Sequence, residues 1–132
     1  MHVIKTFLVE DSPVIRESLI ATLEELARVQ LVGTAEDEAG ALHWLKQADN
    51  HADLMIVDIF LKSGSGLGVL RSASQSAKGL KLVVLTNYAT ADMRRKCLEL
   101  GAHRVFDKSN EIDALIEYCR EMADDITSRV SS

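Results

Sequence analysis

Two short, unbroken apolar runs limit most sharply what this chain can fold into: Leu54-Met55-Ile56-Val57 and Leu82-Val83-Val84-Leu85. A strand with one face in water alternates apolar and polar residues, whereas a run without alternation is buried on both faces. Such strands belong to a parallel sheet covered by helices on both sides. The segments between the runs have the periodicity to supply those helices.

In chain order, Val3 to Val9 reads as the first strand, and Ser12-Pro13 as an N-cap followed by proline at the first helical position. Ile15, Leu19, Leu23 and Leu26 recur at helical spacing, predicting a helix to about Arg28. Val29 to Thr34 is a second strand, weakened by Gly33. An acidic start at Glu36 to Glu38 opens a helix whose core face is expected on Leu42 and Leu45, with Trp44 covering its edge. The third strand ends on Asp58, and a helix after Gly66 runs through Leu67, Leu70 and Ala73 to a loop at 74–79. Leu80 to Leu85 is the fourth strand, and Met93, Cys97 and Leu100 mark a helix closed by Gly101. Arg104 to Phe106 is the fifth strand. Ser109 or Asn110 is expected to cap a last helix with the stripe Ile112, Leu115, Ile116, Cys119, Met122 and Ile126. Five strand–helix units imply an α/β fold, a doubly wound five-stranded parallel sheet with helices on both faces. One domain over 1–128 is expected, with 129–132 as a frayed C-terminal tail.

Composition narrows the function classes. A net charge of −5 argues against direct nucleic-acid binding and against an anionic membrane surface. No apolar run has the length of a transmembrane helix, and the first residues lack a signal peptide's apolar region. Cys97 and Cys119 lie far apart in helical segments, which predicts neither a disulfide framework nor a zinc site and makes a cytoplasmic location the expectation. The four histidines show no metal-ligand spacing.

Parallel strands present their carboxyl ends at one rim, where open α/β sheets bind ligands. Here that rim should carry Glu10-Asp11, Asp58, Thr86 and Lys108. Taken singly, these are a helix-start acid, a loop acid, a strand-end β-branched residue and a solvated lysine. Together they make a site. Three carboxylates at close range raise one another's pKa unless a cation sits among them, and oxygen ligands without His or Cys suit a hard ion such as Mg²⁺. A divalent cation, a lysine and a hydroxyl can hold a phosphoryl group, and an Asp among them can accept it as nucleophile.

On these residues the chain resembles the receiver (CheY-like) domain of two-component response regulators. The motifs are Val9-Glu10-Asp11-Ser12 after strand one, Asp58 with Gly66 eight residues on, Thr86 after strand four, and Lys108 after Gly101-Ala102. The resemblance implies a flavodoxin-like fold with strand order 2-1-3-4-5. Asp58 is similar to the family's phosphoacceptor, and Glu10, Asp11, Asp58 and the backbone carbonyl of Phe60 to its Mg²⁺ ligands. Thr86 and Lys108 match the residues that contact the phosphoryl group. The implied activity is acceptance of a phosphoryl group from a sensor histidine kinase or phosphotransfer protein, followed by slow self-catalysed hydrolysis. The domain would thus act mainly as a signalling switch, controlling a downstream effector protein or an output domain outside this sequence. A homodimer through the last helix is a further option, although Cys119 and Met122 suit a core better.

Several positions depart from the family pattern. Lys62 and Ser109 stand where prolines are common, and Val105 where an aromatic often swings between exposed and buried positions. Phe106 should face the opposite side of the sheet, and Asn87 is larger than the small residue usual after the threonine. Phe60 and Tyr88 flank the site, where they could screen an acyl phosphate from water or simply cover the rim. Rival classes fare less well. A haloacid-dehalogenase-type phosphohydrolase needs a second Asp two residues after the nucleophile, where this chain has Phe60; an FMN carrier would not place Glu10-Asp11 in its phosphate loop. A non-phosphorylated receiver-like protein-interaction module is the alternative that a Mg²⁺ titration would separate.

Overall fold

The computed structural model describes residues 2–76 and 79–131, so Met1, Ala77, Lys78 and Ser132 lie outside the described residues. Five strands, β1 (Ile4–Val9), β2 (Val29–Ala35), β3 (Leu54–Val57), β4 (Lys81–Thr86) and β5 (Arg104–Asp107), alternate with α1 (Pro13–Leu26), α2 (Glu38–Lys46), α3 (Gly66–Ser76), α4 (Ala91–Glu99) and α5 (Ile112–Ser131). The strands form one sheet in the order β2-β1-β3-β4-β5, with every pairing parallel. The expected α/β class, strand order and number of units are all present.

The pleat separates two apolar layers. Phe7, Val9, Met55, Val57, Leu82, Val84 and Val105 pack against Ala41, Val69, Leu70, Ala73 and Cys97 of α2, α3 and α4. Ile4, Leu8, Leu54, Ile56, Val83, Leu85 and Phe106 pack against Leu19, Leu23, Leu115, Ile116, Cys119 and Ala123 of α1 and α5. Residues 54–57 and 82–85 therefore feed both layers, which is why neither run can afford a polar residue. All of β3 is buried. Each large aliphatic side chain so buried contributes about 1.5–3 kcal/mol, and this rigid central sheet is what fixes the loops at its carboxyl edge.

Several local readings change. On α1, Leu19 and Leu23 are buried, but Ile15 is 40% and Leu26 44% exposed, because the helix turns only its middle onto the sheet. On α2 the buried residue is Ala41, with Leu45 and Trp44 packed at the core's margin; Leu42 instead lines a groove shared with Ser72 and Gln75 of α3. Trp44 stacks on Phe7 with centroids 4.2 Å apart. Gly33 serves that stack: a Cβ there would lie 2.9 Å from the Phe7 ring, and the β1–β2 register shifts just before it. α3 stays helical through Ser76, past the 74 at which a loop was expected, and α5 stays helical to Ser131, beyond the stripe's last residue. Ser109 and Asn110 do not cap α5; they lie in a turn in which the Ser109 N–H donates to Asp107 Oδ1 (2.7 Å).

Candidate functional site

β1 and β3 are neighbours in the sheet although α1, β2 and α2 intervene in the chain, so their carboxyl ends sit where the winding direction reverses. Asp58 follows β3 directly and is tied to β1 by its N–H, which donates to Val9 O (3.0 Å). Glu10 is held on its other side, its N–H donating to Ala35 O (3.0 Å). Its carbonyl accepts from Arg16 Nη1 (2.8 Å), and its Oε2 accepts the Ser12 N–H (3.1 Å). Ser12 caps α1 as expected, accepting the Ile15 N–H. The acid pair therefore rests on a capped helix start and two strands.

Glu10, Asp11 and Asp58 can each offer a carboxylate oxygen such that all three lie within 4.8 Å of one another. Glu10 and Asp58 are buried, while Asp11 is half-buried. Lys108 Nζ reaches the first two, donating to Glu10 Oε1 (2.5 Å) and Asp58 Oδ2 (2.9 Å). Three acids facing one lysine leave an excess of negative charge, and the donor set is all oxygen; both suit a hard divalent cation. Burial pushes the Glu10 carboxyl above its ordinary value against the pull of Lys108 and of the Ser12 N–H. Burial alone would lower the Lys108 pKa, but its bonds to Glu10 and Asp58 outweigh that and hold the ammonium above its usual range.

These groups open onto a cleft of about 210 Å³ lined by Glu10, Asp11, Asp58, Phe60, Tyr88 and Lys108, together with Ser12, Ile15 and Asn87. A larger groove on the α1 side, of about 380 Å³, shares Ile15, Asn87 and Lys108 with it. The loop after β3 is stitched across the site: Phe60 N–H donates to Asp58 Oδ1 (3.2 Å) and Lys62 N–H to Asp11 Oδ2 (2.9 Å). Gly66 lets α3 begin against this loop, since a Cβ would come within 2.1 Å of the Asp58 carbonyl oxygen. The Phe60 and Tyr88 rings, 49% and 62% exposed, meet edge-on over the rim with centroids 4.9 Å apart.

Thr86 sits differently. It is fully buried and not among the residues lining the cleft; its Oγ1 accepts the Tyr88 N–H (3.2 Å), and its carbonyl accepts the Lys108 N–H (3.0 Å). Val105 and Phe106 fall on opposite faces of the sheet, Val105 toward α4 and Phe106 beside Tyr118 of α5. Two polar side chains make contacts that had no sequence signal. Glu38 Oε1 accepts the Ser65 N–H (2.8 Å), bracing the β3–α3 loop from α2. Arg94 bonds Ala89 O, Val105 O and Glu111 Oε1. Neither has a local pattern, because the partners lie as far as 27 residues apart.

Comparison with known proteins agrees with this geometry. A sequence model described as "Response regulator receiver domain" matches residues 6–120. Curated relatives include the transcriptional regulatory protein MalR of Bacillus subtilis, 29% identical over 122 residues, covering 89% of this chain and 51% of that protein. The response regulator UvrY of Escherichia coli K12 is 25% identical over 99 residues, covering 75% and 44%. The chain thus spans about half the length of these relatives. Among solved structures, a two-component response regulator of the LuxR family from Aurantimonas superposes with a TM-score of 0.82 at 20% identity, covering 93% of this chain and 86% of that one. A CheY-like receiver domain protein from Methanospirillum hungatei gives 0.80 at 22%, covering 97% and 99%.

Proposed function

This chain belongs to the response regulator receiver domain family, and from that premise we propose that Asp58 is its phosphoacceptor and Mg²⁺ its cofactor. The observation that carries the reading is Asp58 itself: an acid fixed at the end of a fully buried strand, lining the cleft, with one oxygen on Lys108. In the proposed reaction, an Asp58 carboxylate oxygen attacks the phosphorus of a kinase phosphohistidine. The new O–P bond forms as the P–N bond breaks, and the imidazole leaves with the electron pair and takes up a proton. Water later attacks the acyl phosphate, releasing inorganic phosphate and restoring the carboxylate.

Glu10, Asp11, Asp58 and the Phe60 carbonyl would hold the cation, for which the clustered oxygens are suited. When bound, Mg²⁺ supplies charge neutralisation for the transferring phosphoryl oxygens. Lys108 contributes a second positive charge beside the incoming group. Phosphorylation replaces a carboxylate of charge −1 by an acyl phosphate whose phosphoryl oxygens carry about −1.5 to −2, and this negative charge, placed farther out in the cleft, gives the Thr86 hydroxyl a reason to leave the Tyr88 N–H and turn toward it. That movement would alter the β4–α4 loop and present a changed surface to an effector or output domain. The net charge of −5 is in keeping with a domain that makes no nucleic-acid contact of its own, and among the described residues no helix is long and apolar enough to cross a membrane.

The test is incubation with acetyl phosphate and Mg²⁺, read by intact mass. Wild type should gain one phosphoryl group and Asp58→Asn none. Failure of wild type to label, with Mg²⁺ bound, would favour the non-phosphorylated interaction module instead.

A further inference from the structure

Arg94, on α4, bonds the β4–α4 loop, β5 and the residue just before α5. Its Nε donates to Ala89 O in the β4–α4 loop (3.0 Å), its Nη1 to Val105 O on β5 (2.9 Å), and its Nη2 to Glu111 Oε1 just before α5 (2.5 Å). The same Glu111 oxygen accepts the Asp107 N–H (2.9 Å), the residue next to Lys108. A planar guanidinium makes such a multi-pronged bridge with fixed angles, which an ammonium cannot copy. The Glu111 carboxyl is held below its ordinary range, first by Arg94 and then by the Asp107 N–H.

Of the two loops that this bridge fastens, one follows Thr86 at the end of β4 and the other carries Lys108. Thr86 and Ala89 bound the β4–α4 loop: Thr86 accepts the Tyr88 and Lys108 N–H groups, and Ala89 is held by Arg94. On the other loop, Lys108 is anchored through its N–H on Thr86 O, and its neighbour Asp107 through Glu111. Lys108 must keep Nζ within bonding distance of both Glu10 and Asp58 from the end of a four-carbon side chain. A small shift of its backbone would break one of those bonds. We infer that Arg94 and Glu111 are positioning residues for phosphoryl transfer, setting the place of Lys108 and of the Thr86 loop without touching the reacting atoms. This inference rests on Asp58 being the acceptor.

The experiment compares Arg94→Met, Glu111→Ala, Glu111→Gln and the Arg94→Met/Glu111→Ala double variant in the full chain. Acetyl phosphate labelling is followed at saturating Mg²⁺, with Mg²⁺ affinity measured separately by calorimetry and amide exchange by NMR. Arg94→Met and Glu111→Ala should each slow labelling about tenfold or more, as expected for misplacement of a charge-bearing group. The double variant should be no slower than the worse single one, because both remove one bridge. Glu111→Gln, which keeps an acceptor for both donors, should recover most of the rate. Amide exchange should quicken at Asp107 and Lys108 but not at Asp58, and Mg²⁺ affinity should stay near wild type. Wild-type labelling rates in the single variants, additive losses in the double, or Mg²⁺ affinity falling in step with the rate would each overturn the inference. If Arg94→Met fails to fold, the contrast between Glu111→Ala and Glu111→Gln decides alone. Absence of labelling in wild type would instead remove the underlying phosphoacceptor assignment.

Discussion

Replacing Lys108 with methionine should destabilise the fold, and do so in a pH-dependent way. The Lys108 side chain is 11% exposed and bonds Glu10 and Asp58, whose side chains are 2% and 9% exposed. Removing one partner of a fully buried pair costs about 3–5 kcal/mol. The lysine's own desolvation, relieved in the variant, and the solvent cleft beside it reduce the expected net loss to about 2–3 kcal/mol near neutral pH. That corresponds to a fall of about 6–12 °C in melting temperature for a domain of this size. Glu10, already held above its ordinary pKa by burial, would rise further without the lysine. A carboxyl whose folded pKa is raised costs stability above that pKa, and the cost vanishes as pH falls below the unfolded value. The deficit of Lys108→Met against wild type should therefore be largest at about pH 7.5 and shrink toward about pH 5. Millimolar Mg²⁺ should also shrink it, by supplying the missing positive charge. Asp58→Asn, which removes an acid from a site rich in acids, should melt at or above wild type. The assay is thermal unfolding by circular dichroism at both pH values, with and without Mg²⁺. A Lys108→Met deficit that is absent, or that is the same at both pH values, would mean that Lys108 does not balance the buried carboxylates.

Gly66→Ala should cost about 2–4 kcal/mol by urea unfolding, because its Cβ would meet the Asp58 backbone oxygen rather than a side chain that could yield; wild-type stability would contradict this. Phe60→Asn and Tyr88→Glu should lose the phosphoryl group severalfold faster than wild type, since each opens the edge-on ring pair over the cleft; unchanged decay would mean that the rings only cover the rim. Burial pushes the Cys119 thiol up to about 12. Its contribution to stability is thus complete below the unfolded thiol's pKa and is lost as pH rises toward the folded value. Cys119→Ala should accordingly be less stable near neutrality but decline less steeply in alkali, and parallel curves for the two proteins would exclude that role.

The fold was legible because its strongest signals are local. Residues 54–57 and 82–85 announce burial on both faces, and Ser12-Pro13 announces a helix start that the structure confirms in the bond from Ile15 N–H to Ser12 Oγ. The gathering of Glu10, Asp11, Asp58 and Lys108 follows from strand order, since parallel strands must deliver their ends to one rim. What stayed hidden depends on side-chain direction at a distance. Thr86 arrives at the rim but gives its hydroxyl to the Tyr88 N–H. Glu38 looked like a helix-start acid, and its bond to the Ser65 N–H depends on how α2 and α3 pack. Ser109 was a reasonable cap for α5, but α5 begins at Ile112, which puts the cap position at Glu111, and Ser109 lies in the preceding turn with its N–H on Asp107 Oδ1. Leu42 and Ile15 fit the helical period yet miss the core, because the sheet covers only part of each helix.

The measurement that bears most directly on the phosphoacceptor assignment is chemical mapping of the labelled residue. Protein treated with acetyl phosphate and Mg²⁺ is reduced with borohydride, which converts an acyl phosphate to an alcohol, and the peptides are then sequenced by mass spectrometry. Homoserine is expected at position 58 alone, dependent on Mg²⁺ and lost when the metal is chelated. Homoserine at position 10, 11 or 107, or an unmodified Asp58 in protein that has gained a phosphoryl group, would contradict that assignment.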